Sequence, residues 1–548
     1  MTTHNHLSRP LVADWSTLQR TFLKPESEAA RGALFKYMEP ILFGLQDFLQ
    51  SHVGITREAS LRDLSARFTN VAIAEHPEKK LAEIITELIE EIAPHAVNVA
   101  SPYFVGHMTA AIPFFMVHLK TIVAALNQNV VKVETSKVVS VLEKQVLAKI
   151  HRLIFRRGDD FYAGHVQNPE TALGTFVEDG TLANLTALWV ARNRLLGPLP
   201  GFSGVESEGL SAALAAHGLR RVVVLASALA HHSLRKAAGV LGIGHANVIA
   251  LAVDHRHRVD LRALNAVLRD LQAEKGPTRV MALVGVAGST ETGGIDPLPR
   301  LGEICAEHRI HFHVDAAWGG PTLMSPTYRH LLAGIEGADS VTIDGHKQFY
   351  MPMSCGMVYF RDPRAMDAVA YHARYVNRPG SVDLGIRSLC GSREASSLIL
   401  HSALKIMGSR GYALLIDHGI ETARAFAEEI RRRPDFELLS DPELNILLYR
   451  LRPRGLAQLP ALSPEARDRL LNRINVSLQR LQREAGKSFV SRTSLRPPGP
   501  AAEPVVALRC VLMNPMTDMA VLGEILDEQE ALYRRQIAPA LDLRPDTA

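Results

Sequence analysis

Four stretches of this 548-residue chain set chemically capable side chains at the ends of short apolar runs. In SVTIDGHKQFYMPMSCG, residues 340–356, His346 and Lys347 stand between an apolar run and a turn-rich segment. A lysine in that setting is a candidate for a desolvated amine held ready for carbonyl chemistry; taken alone, the motif reads more plainly as a solvated lysine. In IHFHVDAAWGG, strand alternation puts His311, His313 and Asp315 on one side, with Asp315 near the C-terminal end. A carboxylate there is costly without a partner, which points to a buried cation or a protonated ring nitrogen. His308, His311 and His313 could also be read as a metal set. No H-E-x-x-H pattern accompanies them, and they run up an apolar strand away from its cleft end, so no metal is expected.

The third stretch is RVVVLAS followed by His231 and His232, where a histidine either packs and caps or lies against a flat ligand. The fourth is EDGTLANLTALWVARN, a glycine turn leading into an amphipathic helix with Leu182, Leu185 and Trp189 on its apolar face. Free N–H groups at such a helix start can hold a phosphate, although any capped helix begins in the same way. Together the four supply a phosphate cradle, an imidazole for a flat ring, a carboxylate for a pyridinium nitrogen and an amine for an aldehyde. Those are the parts that pyridoxal phosphate requires. Asp315 and Lys347 are 32 residues apart, room for one crossover helix and the next parallel strand, so both can face one cleft.

The elements that must position these residues follow from periodicity. Residues 1–100 read as a helical N-terminal segment, with ALFKYMEPILFGLQDFL and KKLAEIITELIEEIA repeating apolar residues at three- and four-residue steps. From about residue 170, short apolar runs alternate with helices, the pattern of an α/β domain with a largely parallel sheet and ligands at the strand ends; we bound this large cofactor-binding domain at 101–375. Residues 376–548 read as a small C-terminal α+β domain with two Pro-rich joints, RPRGLAQLPALSP and SLRPPGPAAEP. Between the joints Ser463 is placed to cap a helix with Pro464 in its first turn, and Gly486 to end it.

Composition narrows the function class. A formal net charge of +4, with acidic and basic residues interspersed, lacks the field of a nucleic-acid binder. Cys305, Cys355, Cys390 and Cys510 are widely spaced with no C-x-x-C, which fits a reducing cytoplasm better than a disulfide framework. The apolar stretch from Ala110 to Leu126 is broken by Pro113, His118 and Lys120, and the N-terminus has no apolar signal core, so no membrane association is expected. GIGHAN lacks the third glycine of a dinucleotide fingerprint, and there is no G-x-S-x-G elbow.

HVDAAWGG followed by DSVTIDGHK resembles the signature of the group II pyridoxal-phosphate amino-acid decarboxylases, which include glutamate and aromatic amino-acid decarboxylases, and the similarity runs from about residue 95 to 530. SPYFVGHMTAAIPFF, ALNQNVVKVETSK, GSREAS and RCVLMNPMT are most similar to the bacterial branch of pyridoxal-dependent aspartate 1-decarboxylases. The resemblance implies a fold-type I, aspartate-aminotransferase-like enzyme. It also implies a homodimer with active sites at the subunit interface, the helical N-terminal segment embracing the partner. In it Lys347 bonds the cofactor aldehyde, His346 reaches the phosphate, Asp315 pairs with the pyridine nitrogen, and His231 and Ala317 cover the two ring faces. Thr290 contacts the ring hydroxyl or Asp315, and Gly180, Thr181 and Ala183 form the phosphate loop. Arg393 holds the substrate α-carboxylate, Gln128 lines the substrate pocket and Tyr375 donates a proton. The implied reaction is α-decarboxylation of a small acidic amino acid, L-aspartate to β-alanine by preference; L-glutamate decarboxylation and a non-catalytic cofactor-fold protein are the alternatives. One departure stands out. Glu178 and Asp179 precede the phosphate loop, where two carboxylates repel a phosphate unless Asp179 turns away as a helix cap, and Ala183 stands where relatives often have serine.

Overall fold

The computed structural model describes residues 28–54, 60–372, 381–454, 463–495 and 504–540, with Asp14, Trp15 and Leu18. Tyr375 and most of both Pro-rich joints lie outside the described residues. Seven strands of the middle of the chain form one sheet: β1 (Gly174–Val177), β2 (Arg221–Ser227), β3 (Val248–Leu251), β4 (Thr278–Val286), β5 (His311–Asp315), β6 (Ser340–Asp344) and β7 (Gly356–Phe360). Their order is β1-β7-β6-β5-β4-β2-β3. Strands β2 to β6 run parallel to one another, and β7 runs antiparallel to both β1 and β6. The sheet is covered on both faces, which is why its strands read as nearly continuous apolar runs; β6 and β7 are buried throughout.

The helix after the glycine turn, Gly180–Leu195, departs from the amphipathic reading. It is buried on most of its circumference. Ala183, Ala187 and Val190 join Val358 and Phe360 of β7 on one side, while Leu185, Leu188 and Ala191 join Val222, Val224 and Leu234 on another. Small alanines let it sit close to the sheet while a second helix, Ser233–Val240, packs beside it. The crossover between β5 and β6 also differs from expectation. Three 3₁₀ turns (Gly320–Met324, Arg329–Leu332 and Ile335–Gly337) replace the single helix. Pro321 and Pro326 lack the N–H that a continuous helix would use, and Gly334 adopts a left-handed φ of 93°.

A second, antiparallel sheet of four strands has the order β10-β11-β9-β8: β8 (Phe436–Ser440), β9 (Ile446–Leu451), β10 (Ser491–Leu495) and β11 (Val505–Val511). Its core joins Tyr449 and Leu508 to Phe426 of the long helix Ser396–Arg432, Ile474 and Leu478 of the helix Pro464–Ala485, and Ile525 of the helix Met519–Leu532. The helix Pro464–Ala485 forms as the sequence predicts: the Ser463 side chain accepts from Ala466 N, and Gly486 ends it at a φ of 71°. Buried polar contacts tie the two sheets together. Trp318, just after β5, donates from Nε1 to Asn445 Oδ1 at 2.9 Å, and Asn445 Nδ2 donates to the Leu512 carbonyl at 3.0 Å. Among the described residues, no helix is long and apolar enough to cross a membrane.

Gly356 shows how closely the pieces fit. A Cβ built there would lie 2.5 Å from the carbonyl carbon of Asp179, a contact with backbone that cannot swing away. We expect Gly356→Ala to lower unfolding stability by about 1–3 kcal/mol, read by urea titration. Gly164→Ala, in open space within the helix Asp159–His165, should be neutral or stabilising by up to about 1 kcal/mol. Equal stabilities for the wild type and Gly356→Ala would show that this approach is not tight.

Candidate active site

The C-terminal ends of β4, β5 and β6, the loop after β2 and the start of the helix Gly180–Leu195 converge on one cavity of about 420 Å³, closed from the second sheet by Arg509 of β11. It brings together Gly180, Thr181, His231, Thr290, Asp315, Ala317, His346 and Lys347, eight of the residues singled out in the sequence. It also contains residues that the sequence reading passed over: His107, Asn184, Asp344 and Arg509.

Lys347 Nζ lies 2.9 Å from Asp344 Oδ2, and His346 Nε2 lies 3.7 Å from the same oxygen. Asp344 is almost wholly buried and its other oxygen, Oδ1, has no hydrogen-bond partner. Burial pushes its pKa up, and the Lys347 ammonium opposes that rise. His346 Nδ1 lies 2.7 Å from the Cys355 carbonyl and 3.2 Å from the Cys355 N–H, and these contacts fix the ring. His231 Nδ1 accepts from Ser233 N at 3.3 Å, and burial lowers the pKa of this ring, with the nearby Asp315 pulling it back up.

Asp315, at the end of β5, receives the Asn184 amide on Oδ2 at 2.9 Å and the Ala317 N–H on Oδ1 at 3.2 Å. Both donors are neutral, so the carboxylate has no charged partner among these contacts and a face turned to the cavity. The helix start answers the concern over Glu178 and Asp179. Asp179 Oδ1 caps its own helix by accepting from Leu182 N at 2.9 Å, and Glu178 Oε2 accepts from Cys390 Sγ at 3.3 Å. The Ala183 N–H is taken by the Asp179 carbonyl and its side chain packs beneath β7, leaving Asp179, Gly180 and Thr181 as the residues of this turn that line the cavity.

Arg509 is 6% exposed, yet no carboxylate of the described residues pairs with it. Nε donates to the Thr290 carbonyl at 2.6 Å and Nη1 to the Gly106 carbonyl and Ser491 Oγ at 3.2 Å each, while the buried Nη2 has no partner. Burial lowers its pKa. The guanidinium hydrogen-bonds only to neutral acceptors, with the Glu291 carboxylate near enough to oppose the fall in its pKa, and Arg509 lines the cavity; a buried cation of this kind suits an anion. His107 lies beside it; burial lowers the pKa of that imidazole, and the Arg509 charge adds to the effect. A charged residue inside the apolar run VVALRCVL is the signal that could have disclosed Arg509 from sequence.

Two other residues lie elsewhere. Arg393 does not line the cavity: its buried guanidinium forms a two-pronged ion pair with Glu143, Nη1 to Oε2 at 2.9 Å and Nη2 to Oε1, so its fork is already occupied within the chain. Gln128 is at the protein surface and donates to the Leu126 carbonyl at 2.8 Å. No group of three or more metal-capable side chains occurs among the described residues.

This sheet order, with lysine and aspartate at adjoining strand ends, is the architecture of fold-type I pyridoxal-phosphate enzymes. Residues 64–452 match the pyridoxal-dependent decarboxylase conserved domain, and the chain belongs to that family of pyridoxal-phosphate-dependent amino-acid carboxy-lyases. It is 43% identical over 525 residues to the aspartate 1-decarboxylase of Aliivibrio fischeri, with 95% of each chain covered. It is 30% identical over 454 residues to the L-2,4-diaminobutyrate decarboxylase of Rhizobium meliloti, covering 82% of this chain and 81% of that one. Among solved structures, mouse CSAD shares the fold with a TM-score of 0.78 at 24% identity, over 91% of this chain and 99% of that one. The residues present fit the cofactor: an amine beside a buried carboxylate, an acceptor carboxylate without a charged partner, and a helix start where Glu178 is engaged by Cys390 and Asp179, which lines the cavity, caps the helix through Oδ1.

The Glu143–Arg393 pair carries a stability prediction. Glu143→Gln leaves a fully buried guanidinium without its counter-charge, and we expect a loss of about 3–5 kcal/mol in urea unfolding. Replacing both residues with methionine should recover much of it. A wild-type unfolding midpoint for Glu143→Gln would show that the ion pair does not hold Arg393.

Proposed function

We propose that this enzyme removes the α-carboxylate of a small acidic L-amino acid, L-aspartate by preference, releasing carbon dioxide and β-alanine. The observation that carries this reading is Arg509, a buried cation that lines the cavity and has no carboxylate within ion-pair distance among the described residues. A cation clamped on the leaving carboxylate would favour the ground state, because that charge disappears as carbon dioxide forms. Arg509 therefore suits the carboxylate that stays, which an acidic substrate has and an apolar or basic one lacks. His107, beside it, offers a neutral ring N–H to the same group. The similarity to the Aliivibrio fischeri aspartate 1-decarboxylase supports the shorter of the two acidic substrates.

Bound in this cavity, pyridoxal phosphate supplies an electron sink for the pair left when the C–CO₂ bond breaks. The chain's residues do the rest. Lys347 provides the amine that bonds the cofactor aldehyde, with Asp344 holding its charge when the amine is free. Asp315 would take the N–H of the ring, His231 and Ala317 would cover its two faces, and Thr290 would contact the ring hydroxyl or Asp315. Gly180, Thr181 and His346 hold the phosphate, and we assign Tyr375 the proton delivered to the α-carbon. Arg393, occupied by Glu143, does not take the α-carboxylate role that the family resemblance implies, and Arg509 takes the side-chain carboxylate. A homodimer suits the N-terminal helical segment, where Phe43, Leu61, Phe68 and Ile73 are exposed at 67%, 76%, 67% and 98%.

The test is amine production by the protein supplied with pyridoxal phosphate, with L-aspartate and L-glutamate in parallel, followed by mass spectrometry. We expect β-alanine to dominate; the two substrates differ by one methylene, worth about 1–3 kcal/mol of discrimination. γ-Aminobutyrate as the main product would overturn the preference for aspartate. Arg509→Met should lower kcat/KM for aspartate by roughly a hundredfold or more while leaving cofactor retention near wild type. Unchanged kcat/KM in that variant would remove Arg509 from substrate binding.

A further inference from the structure

His311 and His313 are not used by the cavity, yet they sit directly behind it in one continuous hydrogen-bonded line. His311 Nε2 is 2.8 Å from Ser340 Oγ, and Ser340 Oγ is 2.8 Å from His313 Nδ1. His313 Nε2 is 3.0 Å from Asn184 Oδ1, and Asn184 Nδ2 donates to Asp315 Oδ2 at 2.9 Å and to Ser233 Oγ at 3.0 Å. Three elements contribute: β5, the facing position on β6, where Ser340 pairs in register with His313, and the buried helix Gly180–Leu195. His313 and Ser340 are 0% exposed and Asn184 is 1% exposed, so water does not compete for these bonds.

The donor and acceptor roles along the line follow from one end. The Asp315 carboxylate can only accept, so the Asn184 atom facing it is the nitrogen, and the amide oxygen faces His313. A carbonyl oxygen has no hydrogen to give, so His313 carries its proton on Nε2. Burial pushes the pKa of His313 down to about 4, which keeps the ring neutral and leaves Nδ1 a lone pair. Ser340 must then donate to Nδ1 and can accept from a proton on His311 Nε2. Every donor in the line points toward Asp315.

We propose that His313, oriented by Ser340 and His311, is a positioning residue that locks the Asn184 amide with its nitrogen on Asp315, so that Asp315 is held as an acceptor aimed at the cofactor ring. Without His313 the amide can turn over and present its oxygen to a carboxylate. That repulsion would turn Asp315 away from the ring nitrogen. The proposal rests on the reading that Asp315 meets the ring nitrogen, and the experiment keeps the two separable.

Selective ¹³C/¹⁵N labelling of histidine in the cofactor-free protein, with the His313 signal assigned by its loss in His313→Gln, reports the tautomer directly and without any reading of cofactor chemistry. We expect a neutral Nε2–H ring at pH 7. An Nδ1–H ring, or a charged one, would overturn the chain of donors. In the cofactor-loaded enzyme, His313→Leu, which gives Asn184 no donor, should lower kcat by about ten- to a hundredfold with little change in KM, and should alter the visible absorbance of the bound cofactor. His313→Gln keeps an N–H for Asn184 and should retain at least about ten times the kcat of His313→Leu; equal losses would mean that the ring matters only for packing and would overturn the proposal. Asp315→Asn separates the two claims. A loss of rate in Asp315→Asn beside a normal His313→Leu rejects the positioning chain alone, whereas normal rate and absorbance in Asp315→Asn reject the reading of Asp315 on which it stands.

Discussion

Two buried carboxylates, Asp315 and Asp344, close neighbouring parallel strands of one sheet, near enough that Asp315 adds to the rise in the pKa of Asp344. Neither can stay charged in that position unless something positive or hydrogen-donating faces it. Asp344 has Lys347, one turn further along the chain. Asp315 has only neutral donors, the Asn184 amide and the Ala317 N–H, and so is left as an acceptor for a cationic ring. The unmet charge of these two side chains is the basis on which the proposed site places the cofactor ring at Asp315 and its aldehyde at Lys347.

The other constraint is the junction between the two sheets. Arg509 belongs to the second sheet but closes the cavity of the first, held by the carbonyls of Thr290 and Gly106. Trp318 and Asn445 fix the same junction nearby through buried hydrogen bonds. On the proposed roles, substrate recognition and cofactor binding fall to different sheets, and the junction that joins them sets the distance between the two tasks. The helix Gly180–Leu195 serves the cofactor side twice, with its first turn at the cavity and Asn184 on Asp315.

Much of this was legible in the sequence because the signals were local. The strands of the first sheet are short apolar runs, and the chemistry-bearing residues follow the runs directly, so Asp315, Lys347, His346 and His231 could be named; with Thr290, which the family resemblance supplied, they converge. The cap of Ser463 and the stop at Gly486 were legible for the same reason. What escaped depends on contacts between distant segments. Arg393 looks free in GSREAS, but its partner Glu143 lies 250 residues earlier. Asn184 looks like one polar residue in a helix, and only the fold places it between His313 and Asp315. The crossover after β5 was misread because residue spacing alone does not reveal that two prolines break a helix into 3₁₀ turns.

The central claim is that Lys347 is the amine that holds pyridoxal phosphate. Borohydride reduction of the cofactor-loaded protein, followed by proteolysis and peptide mass spectrometry, makes that bond permanent and locates it. This account predicts a reduced pyridoxyl adduct on the peptide containing Lys347 and on no other lysine at one equivalent per chain. An adduct centred on a different lysine, or stable cofactor binding with none on Lys347, would contradict it.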